Sequence, residues 1–170
     1  MRKIAVVMAA IGLAVGVYYG IHNRTAKPAR DTGSLASQAP ALALVDLGGN
    51  QIDTSSYAGN VVLINFWATW CPPCVEETPS LSQFAAQFKD RGVVVLALSV
   101  DWNEKAYRAF LDKYKPAFLT ARDFTVHADY GTFMYPETYI IDARGKVQMK
   151  IPEGADWNDP RLAQFVGSLL

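Results

Sequence analysis

Two continuous apolar runs, "VVLINFWA" at 61–68 and "VVVLALSV" at 93–100, stand out in the hydropathy pattern of this 170-residue chain. Their length and β-branched content are those of strands buried on both faces, as in α/β sheets covered by helices. Between them Cys74, Thr78, Leu81, Ala85 and Phe88 recur at steps of four and three, which predicts a helix from about Pro72 to Lys89 with one apolar face. Further helices are predicted over Glu104 to Tyr114 and Asp159 to Leu169. "ALALVDL", "GGN" and "QIDTSS" predict an initial hairpin, and "ETYIIDARGKVQMKI" at 137–151 predicts two strands joined by a tight turn at Ala143 to Gly145. The pattern is that of an α/β domain without internal repeats.

The N-terminal pattern is different. Arg2 and Lys3 precede an uncharged apolar run of 18 residues, Ile4 to Ile21. As a helix it would be about 27 Å long, close to the hydrocarbon thickness and longer than the core of a cleavable signal. No clear A-x-A site follows it, and no cysteine there could carry a lipid. Residues 1–21 are therefore expected to form a signal anchor and residues 22–40, rich in small and polar types, a flexible linker. The folded domain is expected over 41–170. Arg24, Lys27 and Arg30 on the far side outnumber Arg2 and Lys3, so flanking charge does not set the orientation.

The formal charge is zero, but from Asp31 onward 11 Lys and Arg face 16 Asp and Glu, so the body carries −5. Without a basic patch, nucleic acid is excluded as a partner.

The only two cysteines lie in "WATWCPPC", residues 67–74. Thiolates at this spacing can hold a metal, close a structural disulfide, or open and close one in a redox cycle. The motif falls where a buried strand ends and a helix begins. There the unpaired N–H groups and the positive end of the helix dipole stabilise a thiolate, so the Cys71 pKa is expected to fall. Pro72 suits a first turn that needs no N–H. Cys74, one turn inside on the apolar face, is expected to be buried and less reactive. An exposed attacking sulfur beside a sheltered resolving one is the asymmetry that exchange requires.

"VVLINFWATWCPPC", Pro79 five residues after Cys74, and "YPETYIIDARGKV" together resemble the thioredoxin superfamily, in its exported, membrane-tethered TlpA/ResA/DsbE-like branch. The resemblance spans roughly Ala41 to Leu170. It implies a thioredoxin-like fold: a central mixed sheet flanked by helices, with an N-terminal β-hairpin extension behind the membrane helix. It also implies that Pro136 is a cis-proline facing the cysteines, leaving the backbone of Tyr135 to pair with a substrate strand beside Cys71. Trp70, Tyr135, Pro72 and Pro73 are assigned to the substrate-binding surface. Trp70, directly before the nucleophile, is expected to screen it and offer apolar contact to a partner.

Several positions depart from the family. Asn65 stands where cytoplasmic thioredoxins carry a buried Asp that moves a proton to the inner cysteine, and Asn cannot titrate. Pro72 stands where ResA-type proteins carry Glu, and Met134 replaces a glycine usual two residues before the cis-proline. The remaining candidates for a proton relay are Glu77 and Glu137. Glu77 is read as a solvated helix carboxylate, which leaves Glu137, directly after Pro136, as the chosen catalytic carboxylate. Pro79 is read as kinking the helix, His127 as structural, and Asp101 and Trp102 as unmarked.

The other classes fit less well. Structural zinc wants four ligands, and two cysteines with His127 give at most three. The two-residue spacing disfavours a copper carrier of the C-x-x-x-C type, a two-residue loop makes a weak structural staple, and no P-x-x-x-T-x-x-C segment marks a thiol peroxidase. The expected protein is a thiol-disulfide oxidoreductase without metal or cofactor beyond the Cys71–Cys74 pair, anchored to the outer side of a bacterial cytoplasmic membrane. It is expected to reduce disulfides of exported proteins, with apocytochrome c as client and a CcdA- or DsbD-like membrane protein as electron donor. A general oxidant or isomerase is the second reading, and a metal-binding carrier is the alternative from another class.

Overall fold

The structure, a computed structural model, describes residues 36–170. The expected membrane helix and the linker as far as residue 35 lie outside the described residues, among which no helix is long and apolar enough to cross a membrane.

Five strands form a mixed sheet: β3 (Val61–Trp67), β4 (Val93–Ser99), β5 (Leu119–Arg122), β6 (Glu137–Ile141) and β7 (Val147–Pro152), in the order β5-β4-β3-β6-β7. The central strand β3 is buried along its whole length. It pairs in parallel with β4, Val61 opposite Val93 through Trp67 opposite Ser99, and antiparallel with β6. Two shorter strands, β1 (Ala43–Val45) and β2 (Gln51–Asp53), pair antiparallel as a separate ribbon with Leu44 opposite Ile52.

Alternation along the strands divides the core into two layers. Val61, Leu63 and Trp67 of β3 face the layer that receives α1 (Pro72–Phe88), α2 (Glu104–Tyr114) and α3 (Pro160–Gly167). It holds Leu81, Phe84 and Phe88 from α1, Tyr107 and Phe110 from α2, and Val166 from α3. Each such buried side chain contributes roughly 1.5–3 kcal/mol relative to exposure. Val62, Ile64 and Phe66 face the other layer, with Leu44 and Ile52 of the ribbon, Tyr130 and Tyr139. The helices start on side-chain caps: Cys71 for α1, Asn103 for α2 and Asp159 for α3. Helix α1 runs on through Pro79, and Thr78 Oγ1 donates to the Cys74 carbonyl just before it.

Two features differ from the sequence reading. Residues 36–40, expected in the linker, already belong to the folded body. The Ala36 N–H donates to the Val147 carbonyl at 2.7 Å, the Val147 N–H to the Ser37 carbonyl at 2.9 Å, and Tyr130 Oη to the Pro40 carbonyl at 2.7 Å. Strand β5 was not anticipated: it has four residues, of which only Ala121 is buried, so it carries no apolar run.

Candidate functional site

Strand β3 ends at Trp67, and the chain turns through Ala68–Trp70 into the cap of α1. The turn is held from the neighbouring strand. The buried Asp101 carboxylate, just beyond β4, accepts the Thr69 N–H at 3.0 Å, the Thr69 hydroxyl at 2.6 Å and the Ser99 hydroxyl at 2.6 Å. Asp101, unmarked in the sequence, thus sets the path into the cysteines.

Cys71 and Cys74 are joined in a disulfide, with Cα atoms 5.3 Å apart. Cys71 is the N-cap residue: the Cys74 N–H points at its Sγ from 3.3 Å. The expected donor at the helix start is therefore present. The expected exposure of Cys71 is not: the residue is 5% exposed, and Cys74 is buried as well. Bonding to Cys74 folds the Cys71 sulfur against the first turn, and the Tyr135 carbonyl oxygen lies 3.5 Å from it.

The Tyr135–Pro136 bond is cis, and Pro136 is buried while Tyr135 is half-buried. Trp70, 59% exposed, meets the Tyr135 ring edge-on with centroids 6.0 Å apart. Pro72, Pro73, Phe133 and Met134 are exposed. The Tyr135 ring also meets His127, which sits on a short helical turn at Val126–Tyr130 and whose Nδ1 lies 2.6 Å from the Thr132 carbonyl. Trp70, Tyr135, Pro72 and Pro73 thus border the disulfide beside an apolar surface.

The two candidate carboxylates lie on opposite faces of the sheet. Glu137 shares its strand parity with Tyr139 and Ile141 and faces the layer away from α1. It is 5% exposed and pairs with Lys150 Nζ at 3.0 Å, while its other oxygen accepts the Thr132 hydroxyl and lies 3.0 Å from Tyr139 Oη. The sheet separates this carboxylate from Cys74, so the relay assigned to Glu137 is corrected. The reason is parity: Thr138, not Glu137, points to the helix side.

Glu77 occupies that side. It is 7% exposed, not solvated as expected, because it lies three residues after Cys74 on the buried stripe of α1. Oε1 accepts from Asn65 Nδ2 at 2.8 Å. Oε2 accepts from the Ala155 N–H at 3.1 Å and from Trp157 Nε1 at 3.3 Å. Asn65 also donates to Thr138 Oγ1 at 2.9 Å. Burial pushes the Glu77 carboxyl above its ordinary range, against the pull of these three donors. Asn65 cannot titrate, but it holds a group on α1 that can. An open cleft of about 540 Å³, bordered by Pro73, Glu76, Gly154 and Asp156, gives solvent a path to Glu77. The periodicity that placed Cys74, Thr78 and Leu81 on one face also contained Glu77, and that signal outweighs its charge.

A second cavity, about 320 Å³ and lined by Tyr57, Val62, Tyr130 and Ile141, opens on the other layer, away from the disulfide. Among the described residues no cluster of three or more His, Cys, Asp or Glu could hold a metal ion.

The chain matches the model of the AhpC/TSA family over residues 35–150. It is 39% identical over 114 residues to the thioredoxin-like protein YneN of Bacillus subtilis (strain 168), covering 65% of this chain and 67% of that protein. It is 33% identical over 119 residues to the thiol-disulfide oxidoreductase ResA of Bacillus anthracis, covering 69% of each. Among solved structures it is similar to a putative thiol:disulfide interchange protein DsbE from Chlorobium tepidum, with a TM-score of 0.73 and 28% identity over 81% of this chain and 99% of that one.

Proposed function

The chain belongs to the AhpC/TSA family as a thioredoxin-like thiol-disulfide oxidoreductase of the ResA and DsbE type, and from that premise we propose that its Cys71–Cys74 pair reduces disulfides of exported proteins. The observation that carries the reading is the disulfide at the cap of α1, with Tyr135 and cis-Pro136 on one side and Glu77 behind it. In the reduced protein the Cys71 thiolate, stabilised by the Cys74 N–H, attacks a target disulfide, and one target thiolate leaves. The Cys74 thiol passes its proton to Glu77 and attacks Cys71 Sγ, which releases the second target thiolate. The target gains two electrons, and the enzyme is left with the disulfide seen here. The Tyr135 backbone beside cis-Pro136 aligns the extended target segment, and Trp70, Pro72 and Pro73 bear on its side chains.

The apolar run at Ile4–Ile21 supports an anchor in the bacterial cytoplasmic membrane, with residues 41–170 on its outer side. A reductase there draws electrons from a membrane protein of the CcdA or DsbD kind, and apocytochrome c is the proposed client. Two measurements test this. A reduction potential near that of thioredoxin, about −270 mV, supports a reductase, and one near that of DsbA, about −120 mV, makes it an oxidant. Cys74→Ser, which removes the resolving sulfur, is expected to accumulate mixed disulfides through Cys71, dominated by proteins with C-x-x-C-H. A broad set of secreted proteins instead would overturn the client.

A further inference from the structure

The loop that follows β7 closes on the site through a single residue. Gly154 has a left-handed φ of 85°, and a Cβ built on it would stand 2.9 Å from Pro136 Cγ and 3.1 Å from Glu77 Oε2. The first distance is shorter than real Cβ atoms show, and neither neighbour gives way cheaply. Pro136 is a buried ring within the backbone, and Glu77 is held by three donors. Elsewhere the crowding differs in kind. Gly131 has φ 66° with nothing near its missing Cβ, and at Gly145 the close atom is the end of the Gln38 side chain, which can move.

Two of the three donors to Glu77 come from this same loop, the Ala155 N–H and Trp157 Nε1, and Trp157 is fixed in the core by edge-on contact with Phe84 at 5.3 Å. Pro136 and the Glu77 carboxylate therefore share one wall. We propose that Gly154 is a positioning residue for disulfide exchange: its bare backbone lets the 153–157 loop seat the Pro136 ring against the substrate side and hold the Glu77 carboxylate behind Cys74. The inference rests on the relay role of Glu77 and extends it to the residue that couples the relay to the substrate groove. Glu76, Glu153 and Asp156 are the titratable groups that line the cleft with Glu77, and Cys74 lies three residues before it on the buried stripe of α1. Asn65, Thr138 and Trp157 are neutral, and no Lys or Arg lines the cleft.

The test is single-turnover oxidation of the reduced full-length protein by a peptide disulfide, followed from pH 5 to 9 in the wild type, Gly154→Ala, Glu77→Gln and the double variant. In Gly154→Ala the displaced loop withdraws donors from the carboxylate, so the midpoint of the acid limb is expected to move up by about one pH unit, the tenfold effect of one hydrogen bond to a charged group. The KM for the peptide is expected to rise several-fold, because the Pro136 ring shifts. In the Glu77→Gln background Gly154→Ala is expected to raise KM and no longer move the midpoint. Where Gly154→Ala does not fold, Trp157→Phe keeps the ring packing and removes one donor, and an upward shift of the midpoint is expected there too. A folded Gly154→Ala with the wild-type midpoint and KM, an equal midpoint shift with and without Glu77, or a Trp157→Phe profile like the wild type each overturns the inference. A wild-type profile in Glu77→Gln alone overturns the relay itself, so the two failures are told apart.

Discussion

Two carboxylates are buried to nearly the same degree within one sheet's thickness of each other, Glu77 at 7% exposure and Glu137 at 5%, and their surroundings differ in one respect. Glu137 has a cation: Lys150 reaches it at 3.0 Å from the next strand, and Thr132 and Tyr139 add hydroxyls. Burial works against the Lys150 charge, but its bonds to Tyr139 and Glu137 and their attraction outweigh that and raise its pKa. Glu77 has only neutral donors, Asn65, the Ala155 N–H and Trp157, and burial raises its proton affinity. A buried carboxylate matched by a cation is a structural pair, whereas one left with neutral donors holds its proton more tightly than a free carboxylate and is suited to accept one. The same residue type therefore serves as a strut at one position and a relay at the other, according to what faces it.

The largest expected effect falls on the relay. Glu77→Gln should slow resolution by Cys74 about a hundredfold at neutral pH, the lower range for loss of a general base, while the first attack by Cys71 keeps its rate. Rapid-quench analysis would then show the mixed disulfide building up transiently. Resolution at the wild-type rate would return the proton to another route. Glu137→Gln is the control: its carboxylate lies across the sheet, so resolution should be unaffected.

The effect on the strut is smaller and is read in stability. Lys150→Met keeps the apolar stem and leaves Glu137 buried without its cation. Breaking a fully buried pair costs about 3–5 kcal/mol, and Lys150 is a third exposed, so water reduces this to about 1–3 kcal/mol. Urea unfolding should show the loss, with exchange by the folded protein unchanged. A variant as stable as the wild type but slow in exchange would reverse the two roles.

How much of this could be read from the chain depends on the range of the contacts. The strands at 61–67 and 93–99 and helix α1 follow from local periodicity, and the helix start at Cys71 follows from its prolines. Glu77 is legible too, since it sits between Cys74 and Leu81 on the buried stripe, where position outweighs charge. Glu137 is not legible in this way, because adjacency to Pro136 in sequence does not fix which face of the sheet its side chain takes. Which face a strand residue takes depends on which side the helices cover, and that is a long-range fact. The donors at Ala155 and Trp157 lie about eighty residues from Glu77 in sequence and reach it through the pairing of β7 in the sheet and the contacts of Trp157 with Ser80 and Phe84 of α1. The burial of Cys71 likewise depends on Tyr135, 64 residues away.

The smallest effect is a slope. The folded state raises the proton affinity of Glu77 above its ordinary value of 4.5, so between the unfolded and folded pKa values the native protein binds more protons than the unfolded chain. Unfolding free energy therefore falls as pH rises through this window: the contribution of Glu77 is fully present below the unfolded value and is lost by the time pH passes the folded one. Asp46, Asp53, Glu104 and Asp159 work in the opposite sense, because side-chain hydrogen bonds from Asn50, Ser55, Arg108 and Arg161 lower their pKa values. The raw pH dependence of stability mixes both, but the difference between wild type and Glu77→Gln cancels the common part. The substituted amide can be accommodated. Its oxygen accepts from the Ala155 N–H and Trp157 Nε1, and the Asn65 amide turns so that Oδ1 accepts from the new NH2 and from Thr138 Oγ1. Urea midpoints from pH 4 to 8 should then show the wild type losing stability relative to Glu77→Gln as pH rises, with the variant the more stable protein at pH 8 and the slower catalyst. A difference that stays flat would mean that the folded protein leaves the proton affinity of Glu77 where the unfolded chain has it. Glu77 would then be a strut like Glu137, and the contrast between the two carboxylates would not hold.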